Sequence, residues 1–321
     1  MRHELWRLTS ILGVVGRRLG VSNNDRKADA DPQSFPVAGE RRKGPSMTSG
    51  SASGPTLMAV MAHPDDESTS AGGVLSLYAR RGVRTVLVTC TNGEYGDGID
   101  GAKPGSAGHN AERVARTRLA ELRTACAHLG VGTLELLSHH DSGSIDQVRP
   151  ACTVFADIPL QTVAEELGAL IEKHRPQVVV THEPTGTRHV DHIHTARATE
   201  AAVRAGGVAA KLYYAAHGTR YWTRLRNALR EAGIDYPEPD RSRRAVTDGI
   251  DEHVAARVDI RSVVARKRSA LFSHASQIHT STTAKVPEEL WPTVFAVEEY
   301  IRAFDVTGAP TPEDDLFAGL I

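Results

Sequence analysis

The stretch that decides the fold is "LMAVMAHPDDESTSAGG", residues 57–73, in which a hydrophobic run ends abruptly in polar residues. One imidazole and three carboxylates follow within five residues, at His63, Asp65, Asp66 and Glu67. Clustered carboxylates beside a buried strand raise one another's pKa unless a cation lies among them. Capping a helix needs only one or two acids, and a dinucleotide-binding turn needs G-x-G-x-x-G, which the single AGG does not supply. The stretch therefore predicts a divalent metal site.

The composition is that of an ordinary globular protein. Of the 321 residues, 40% are hydrophobic and 24% are charged. A chain of this length and composition can bury a large core. The net charge of −1 gives no reason to expect nucleic acid or a membrane surface as a partner. The three cysteines, Cys90, Cys126 and Cys152, lack CxxC spacing, which favours reduced thiols and a cytoplasmic location.

Residues 1–55 differ from the rest of the chain. They are rich in Gly, Pro and Ser and show neither a helical nor a strand period, which predicts a disordered, non-catalytic extension. "LTSILGVVG" at 8–16 is too short to span a bilayer. It could be a signal-peptide core or a short amphipathic helix, or the start could be assigned too far upstream, with Met47 as the true start. We expect one domain over 56–321, of which 210–321 forms the C-terminal part that rims the substrate.

The region after residue 55 alternates between strand and helix patterns. Nearly continuous apolar runs predict strands, and apolar residues at intervals of three or four predict helices. The predicted strands are 56–62, 84–91, 133–138, 177–183 and 297–306, and the predicted helices are 110–129, 158–174 and 259–277. This alternation indicates an α/β fold with a Rossmann-like, mostly parallel sheet flanked by helices. In such sheets the active site lies at the carboxyl ends of the strands, where His63 is placed.

A second polar cluster follows the predicted strand 177–183. "HVDHIH" brings His189, Asp191, His192 and His194 together within six residues. With a helix starting near Asp191, His192 would point toward the mouth of the sheet and His194 elsewhere. The adjacent His139 and His140 are expected in a solvated loop.

These residues suggest a metal centre of known type. His63, Asp66 and His192 would supply two imidazoles and one carboxylate, a catalytic set that binds one zinc ion per chain and leaves a position for water. Asp65 could then act as general base. His189, if protonated, could stabilise an oxyanion and protonate a leaving amine.

Two further acids have structural interpretations. Glu67 is expected to satisfy backbone N–H groups at a helix N-terminus. Asp191 could cap the second helix, orient His189, or do both.

The two motifs resemble the LmbE/PIG-L superfamily of zinc-dependent N-deacetylases. "AHPDDE" at 62–67 and "HVDH" at 189–192 carry the resemblance, and "VTCTNGEYGDG" (88–98), "PQVVVTHEPTG" (176–186) and "KRSALFSHASQ" (267–277) extend it to roughly 57–277. The chain is most similar to the actinobacterial branch that holds the N-acetylglucosaminyl-inositol deacetylase and the mycothiol S-conjugate amidase.

The resemblance implies a role for each matching residue. His63, Asp66 and His192 match the zinc ligands, Asp65 the base, His189 the residue that stabilises charge on the carbonyl oxygen, and Asp191 the acid that orients a neighbouring histidine. Arg118 and Asp141 match positions that hold sugar hydroxyls.

The chain also departs from the pattern of both close relatives. Val190 replaces the usual proline of H-P-D-H. Thr187 and Arg188 stand where the inositol deacetylase has a tyrosine, and Ser70 stands where the conjugate amidase has a lysine.

The resemblance implies a small-molecule substrate, an N-acetyl aminosugar like N-acetylglucosaminyl-inositol, with neither nucleic acid nor membrane as partner and with self-association left open. The alternatives are a mycothiol S-conjugate amidase-like enzyme, a secondary-metabolite deacetylase, and a non-catalytic sugar binder.

The last third of the chain is less informative. The Arg-rich segment 216–249 is interrupted by acids, which favours a substrate-rimming insertion over a nucleic-acid patch. His274 could close over the site or simply pack in the core.

Overall fold

A computed structural model gives the fold of residues 54–144, 152–239 and 241–320. The predicted extension 1–55 therefore lies outside the described residues, apart from Gly54 and Pro55. None of the described helices is long and apolar enough to cross a membrane.

A seven-stranded sheet forms the centre of the described region. Its strands are β1 (Thr56–Met61), β2 (Arg84–Thr91), β3 (Thr133–His139), β4 (Val178–His182), β5 (Lys211–Ala215), β6 (Val254–Asp259) and β7 (Val297–Asp305). Their order across the sheet is β3-β2-β1-β4-β5-β7-β6. The first five pair in parallel, whereas β7 runs antiparallel to both β5 and β6. The predicted α/β fold with a mostly parallel sheet is confirmed.

Helices lie between the strands along the chain. They are α1 (Asp66–Ser70), α2 (Gly72–Arg80), α3 (Ala111–Leu129), α4 (Leu160–His174), α5 (Val190–Gly206), α6 (Thr219–Glu231), α7 (Arg241–Thr247), α8 (Val264–Ser273) and α9 (Trp291–Val294). The side chain of Asn110 caps α3 by accepting a hydrogen bond from Arg113 N at 2.8 Å, and Gly130 ends it in the left-handed region. The predicted helix 259–277 is shorter in the structure, since only its middle forms α8.

Both faces of the sheet are covered. Leu57, Ala59 and Met61 of β1 belong to one apolar cluster, and Met58 and Val60 belong to a second cluster on the opposite face. This alternation explains why β1 is a continuous apolar run, because each side chain enters one core or the other. The buried strand fixes the polar residues that follow it at the edge of the sheet.

The C-terminal part, 210–321, is built into the sheet. It supplies β5, β6 and β7, and it also supplies residues that line the cavity described below. Of these three strands, only β7 corresponds to a strand predicted from the sequence, 297–306.

Candidate metal centre and active site

The two sequence motifs meet at the carboxyl edge of the sheet. β1 and β4 are neighbouring parallel strands, so the residues that follow them emerge side by side. His63 comes two residues after β1, and His189 is the N-cap residue of α5, which follows β4. The rings of His63 and His189 lie 4.5 Å apart, centroid to centroid.

Asp66 lies between two of the predicted ligands. Its Oδ2 is 3.3 Å from Nδ1 of His63, and its Oδ1 is 3.3 Å from Nε2 of His192. The ring centroids of His63 and His192 are 5.3 Å apart. The structure thus brings the three predicted metal ligands together around one buried carboxylate.

The structure divides the candidate ligand atoms into three close groups. In each group the ligand atoms lie within 4.8 Å of one another. The groups are His63 with His189 and His192, Asp66 with His182 and His192, and His63 with Asp141 and Asp191. The predicted trio is shared between the first two groups and does not form one group by itself.

The carboxylate of Asp191 contacts a different histidine from the one expected. Oδ2 of Asp191 lies 3.1 Å from Nε2 of His63 and accepts a hydrogen bond from Ser142 N at 2.9 Å. In the described part of the chain, Nδ1 of His189 accepts a hydrogen bond from the backbone N–H of Asp191 at 3.3 Å. The expectation that Asp191 orients His189 is therefore corrected, because at the start of α5 its side chain turns toward the end of β1. A carboxylate that holds Nε2–H of a histidine leaves Nδ1 as a metal ligand.

The electrostatics around His63 favour a positive charge. Burial alone would lower the pKa of His63, but the carboxylates of Asp141, Asp191 and Asp66 outweigh it and raise the pKa well above 6.5. The pKa of Asp66 is lowered well below its usual value, because His192 and His182 outweigh the effect of burial. A cation bound here would take the place of the proton on His63, so the donor set and its charge fit a divalent metal.

His182 is a residue of the site that the sequence analysis missed. It ends β4, its ring stacks on that of His192 at 4.1 Å, and its Nε2 lies 3.5 Å from Oδ2 of Asp66. The same Nε2 accepts a hydrogen bond from Ala62 N at 3.0 Å. Burial, and then the neighbouring His192, lower the pKa of His182 to about 4. Its place as the last residue of an apolar strand was the available signal.

Asp65 is held in an unusual backbone conformation by Arg118. The φ angle of Asp65 is +111°, in the left-handed region that non-glycine residues rarely adopt. Arg118 is only 4% exposed, and it donates to the carbonyl of Pro64 at 2.5 Å and to Oδ2 of Asp65 at 3.1 Å. Its other terminal nitrogen donates to the carbonyl of Gly93 at 2.6 Å. A Cβ on Gly93 would collide with this guanidinium, so the glycine leaves room for Arg118.

The charge of Arg118 partly offsets the desolvation of Asp65. Burial raises the pKa of Asp65, Arg118 lowers it, and the neighbouring Asp66 raises it again. The net direction is upward, which suits a carboxylate that has to accept a proton.

One carboxylate oxygen of Asp141 makes contacts within the protein. It is 3% exposed, its Oδ1 accepts a hydrogen bond from Gly143 N at 2.8 Å, and the same oxygen lies 3.5 Å from Nε2 of His63. The contacts of Arg118 and Asp141 with sugar hydroxyls stay predictions.

The surroundings of His189 favour its neutral form. Burial, and then the charges of His63 and His192, lower its pKa to about 3. Since Nδ1 accepts from the backbone of Asp191, the ring proton resides on Nε2. His189 is therefore placed as a neutral hydrogen-bond donor, and the protonated form expected from the sequence stays a prediction.

Glu67 of the first motif forms a buried pair with His274 and also contacts the backbone of Asp65. Oε1 of Glu67 lies 2.7 Å from Nε2 of His274, and Oε2 of Glu67 accepts from Asp65 N at 2.9 Å. The expected contact of Glu67 with a backbone N–H is confirmed, and His274, left open above, packs in the core against Glu67.

The other histidines singled out lie outside the three groups. His194 packs edge-on against Phe155, with ring centroids 4.9 Å apart. Nε2 of His139 pairs with Glu166, and Nδ1 of His140 pairs with Glu94.

A cavity of about 300 Å³ opens beside the candidate metal ligands. Asp66 and His192 form one wall, and His217, Tyr221 and Trp222, from the end of β5 and the start of α6, line another part. Arg118 and Asp141 are absent from the lining of this cavity. The further lining residues are Thr69, Ser70, His182, Glu183, Gly186, Thr187, Ala215, Ile250, Ser281, Thr282 and Thr283.

Comparison with known proteins identifies the family. The sequence profile of PIG-L, described as GlcNAc-PI de-N-acetylase, matches residues 58–203. The chain is 35% identical over 280 residues to the 1D-myo-inositol 2-acetamido-2-deoxy-alpha-D-glucopyranoside deacetylase of Mycobacteroides abscessus, covering 82% of this chain and 98% of that protein. The chain belongs to the PIG-L family. Residues 58–203 contain both motifs, so the resemblance to the LmbE/PIG-L superfamily is confirmed.

Another relative in the PIG-L family carries a different name. The mycothiol S-conjugate amidase of Streptomyces coelicolor is 31% identical over 291 residues, which cover 82% of this chain and 97% of the amidase. The fold also matches the solved 4-carboxy-2-hydroxymuconate hydratase of Pseudomonas putida, with a TM-score of 0.53 and 16% identity over 80% of this chain and 99% of the hydratase. This likeness shows the fold alone, since one fold can carry different reactions.

Proposed function

We propose that this protein is a zinc-dependent hydrolase that removes the acetyl group from an N-acetyl aminosugar, of the kind represented by 1D-myo-inositol 2-acetamido-2-deoxy-α-D-glucopyranoside. The observation that carries the proposal is the buried Asp66 carboxylate flanked by His63 and His192, with Asp65 next to it. The identity to deacetylases over four-fifths of the chain supports the same reaction.

His63, Asp66 and His192 would hold the zinc ion. Asp191 fixes the ring of His63 through Nε2, so that Nδ1 faces Asp66. Zinc bound there supplies a Lewis acid and lowers the pKa of its water to about 7. The donor set, two imidazoles and one carboxylate, is typical of catalytic zinc sites.

Asp65, Arg118 and His189 transfer the proton and stabilise the charge that develops during the reaction. Asp65 accepts a proton from the attacking water, and Arg118 fixes the orientation of its carboxylate through the 3.1 Å contact. His189 offers the Nε2–H donor to the oxygen on which negative charge develops. The proton held by Asp65 is then available to the leaving amine, which balances the hydrolysis without another acid.

A second candidate reaction is cleavage of a larger acyl group, as in a mycothiol S-conjugate amidase. The 31% identity to such an amidase over 82% of this chain supports this alternative. In both reactions the same zinc ligands and the same base serve an amide bond.

The cysteines bear on the cellular location of the protein. The three cysteines are free thiols, which supports the cytoplasmic location expected from their spacing. The partner is a small aminosugar.

The experiment measures the release of acetate, of free amine and of alcohol by the zinc-loaded protein. The substrates are the inositol glucosaminide, free N-acetylglucosamine and a mycothiol S-conjugate, with a simple ester as a control. We expect the highest kcat/KM on the inositol glucosaminide. Cleavage of the ester with no release of acetate from either sugar would refute the proposed function, and preferential cleavage of the conjugate would establish the second candidate.

A further inference from the structure

The two residues expected to hold the sugar are buried, with 4% of Arg118 and 3% of Asp141 exposed, and neither lines the cavity. Both terminal nitrogens of Arg118 donate within the protein, to Gly93, Pro64 and Asp65. Asp141 is buried against Gly143 N and His63. A sugar that acts as substrate therefore needs other partners, close to the metal ligands and open to the cavity.

His217 meets this requirement. It lies two residues after the end of β5, at the same edge of the sheet as the metal ligands, and it lines the cavity together with Asp66 and His192. Neither of its ring nitrogens makes a hydrogen bond to any residue in the described part of the chain. Burial, and then the charge of Lys267, lower its pKa to about 3, so the ring is neutral. A neutral imidazole offers one donor and one acceptor, which is what a sugar hydroxyl can use.

Two aromatic rings extend the surface that His217 begins. The ring centroids of His217 and Tyr221 are 4.5 Å apart, and Trp222 packs edge-on against Tyr221 at 5.2 Å. The hydroxyl of Tyr221 lies 3.4 Å from Oγ1 of Thr283, which also lines the cavity. A pyranose presents C–H groups on its faces and hydroxyls at its rim, so it matches flat rings with a polar group beside them.

The size of the cavity agrees with one sugar ring. Its volume of about 300 Å³ is at the lower end of the range for small-molecule sites, about 300–1,000 Å³. In the described part of the chain, no Lys or Arg lines this cavity, so a phosphorylated or otherwise anionic ligand would find no cation there.

We propose that His217, with the rings of Tyr221 and Trp222, binds the sugar ring of the substrate and determines specificity for a carbohydrate. This assignment rests on the proposed function. It adds to the expectation for Arg118 and Asp141, whose contacts with the sugar stay predictions.

The test compares the zinc-loaded wild type with His217→Leu, His217→Gln and the surface control His128→Gln. Zinc content, kcat and KM for the inositol glucosaminide are measured, along with binding of N-acetylglucosamine by ligand-observed NMR. Leucine should raise KM and the sugar dissociation constant about tenfold, or about 1.4 kcal/mol, while zinc content and kcat stay near wild type. Glutamine, which keeps a donor and an acceptor, should recover most of the affinity, and the control should not differ.

Two results would overturn the assignment. One is unchanged KM and unchanged sugar binding in His217→Leu. The other is loss of zinc or of kcat at constant KM, which would place His217 in support of the metal centre. If the wild type released no acetate from any sugar, the proposed function would fail, and the NMR measurement would still decide whether His217 binds N-acetylglucosamine.

Discussion

Glu298 of β7 joins the last strand of the sheet to the helix that follows the metal-binding motif. It is 7% exposed. Its Oε1 accepts from Gly73 N at 2.7 Å and from Nζ of Lys267 at 2.5 Å. Its Oε2 accepts from Val74 N at 2.8 Å and from the Tyr300 hydroxyl at 2.7 Å. One carboxylate thus caps the N-terminus of α2 and pairs with a buried lysine.

Glu298→Gln should cost about 3 kcal/mol of folding free energy, within a range of about 2–5. The amide oxygen can still accept from Gly73 and Lys267, and the amide nitrogen can donate to the Tyr300 hydroxyl, which can turn toward the carbonyl of Ser70 at 3.4 Å. Val74 N–H then has no acceptor, and a buried unsatisfied donor costs about 1–3 kcal/mol. The remainder comes from the lost charge opposite Lys267 and the helix dipole.

The assay is urea denaturation followed by circular dichroism, with the free energy of unfolding compared between variants. Glu288→Gln is the matched control, because the Glu288 side chain is 74% exposed and pairs with Arg268 at 3.1 Å. We expect the control to lose less than about 0.5 kcal/mol. A loss below about 1 kcal/mol for Glu298→Gln would show that neither Val74 nor Lys267 depends on this carboxylate, and the reasoning would be refuted.

Three further predictions concern the active site. The proposed zinc ligands are His63, Asp66 and His192. Alanine at any one of them should abolish zinc binding and activity together, and full zinc content by elemental analysis would contradict the assignment. Asp65→Asn should keep zinc but lower kcat by about two orders of magnitude or more, and near-normal turnover would show that no base is needed there. Arg118→Lys should lower kcat by about tenfold to a hundredfold through misplacement of Asp65, with KM nearly constant. A rise in KM at unchanged kcat would instead support the sugar contact expected from the sequence.

The first four strands could be predicted because each is an apolar run that ends at a turn. β5 could not, since its first residue is Lys211. In the structure this lysine is fully buried against Glu313, with Nζ and Oε1 2.5 Å apart. That partner lies 102 residues further along the chain. A charge neutralised by so distant a residue leaves no local pattern.

For the candidate site, the sequence predicted which residues come together but not the direction of every side chain. Motif spacing identified His63, Asp66 and His192, because the carboxyl ends of parallel strands converge. It could not show that Asp191 turns toward His63, nor that His182 and His217 face the same space. Those facts depend on side-chain direction at the ends of β4, β5 and α5, which the packing of neighbouring strands decides.

The position of β7 between β5 and β6 has a consequence for synthesis on the ribosome. Glu298 contacts Gly73, 225 residues earlier, so the metal-binding motif leaves the ribosome long before the residue that fixes the helix behind it. Contacts between such distant residues are slow to form. Until β7 arrives, β5 presents an open edge and α2 lacks its cap, so the growing chain passes through a period in which it is prone to aggregate. A nascent chain that stops before residue 297 should therefore depend on chaperones for its solubility.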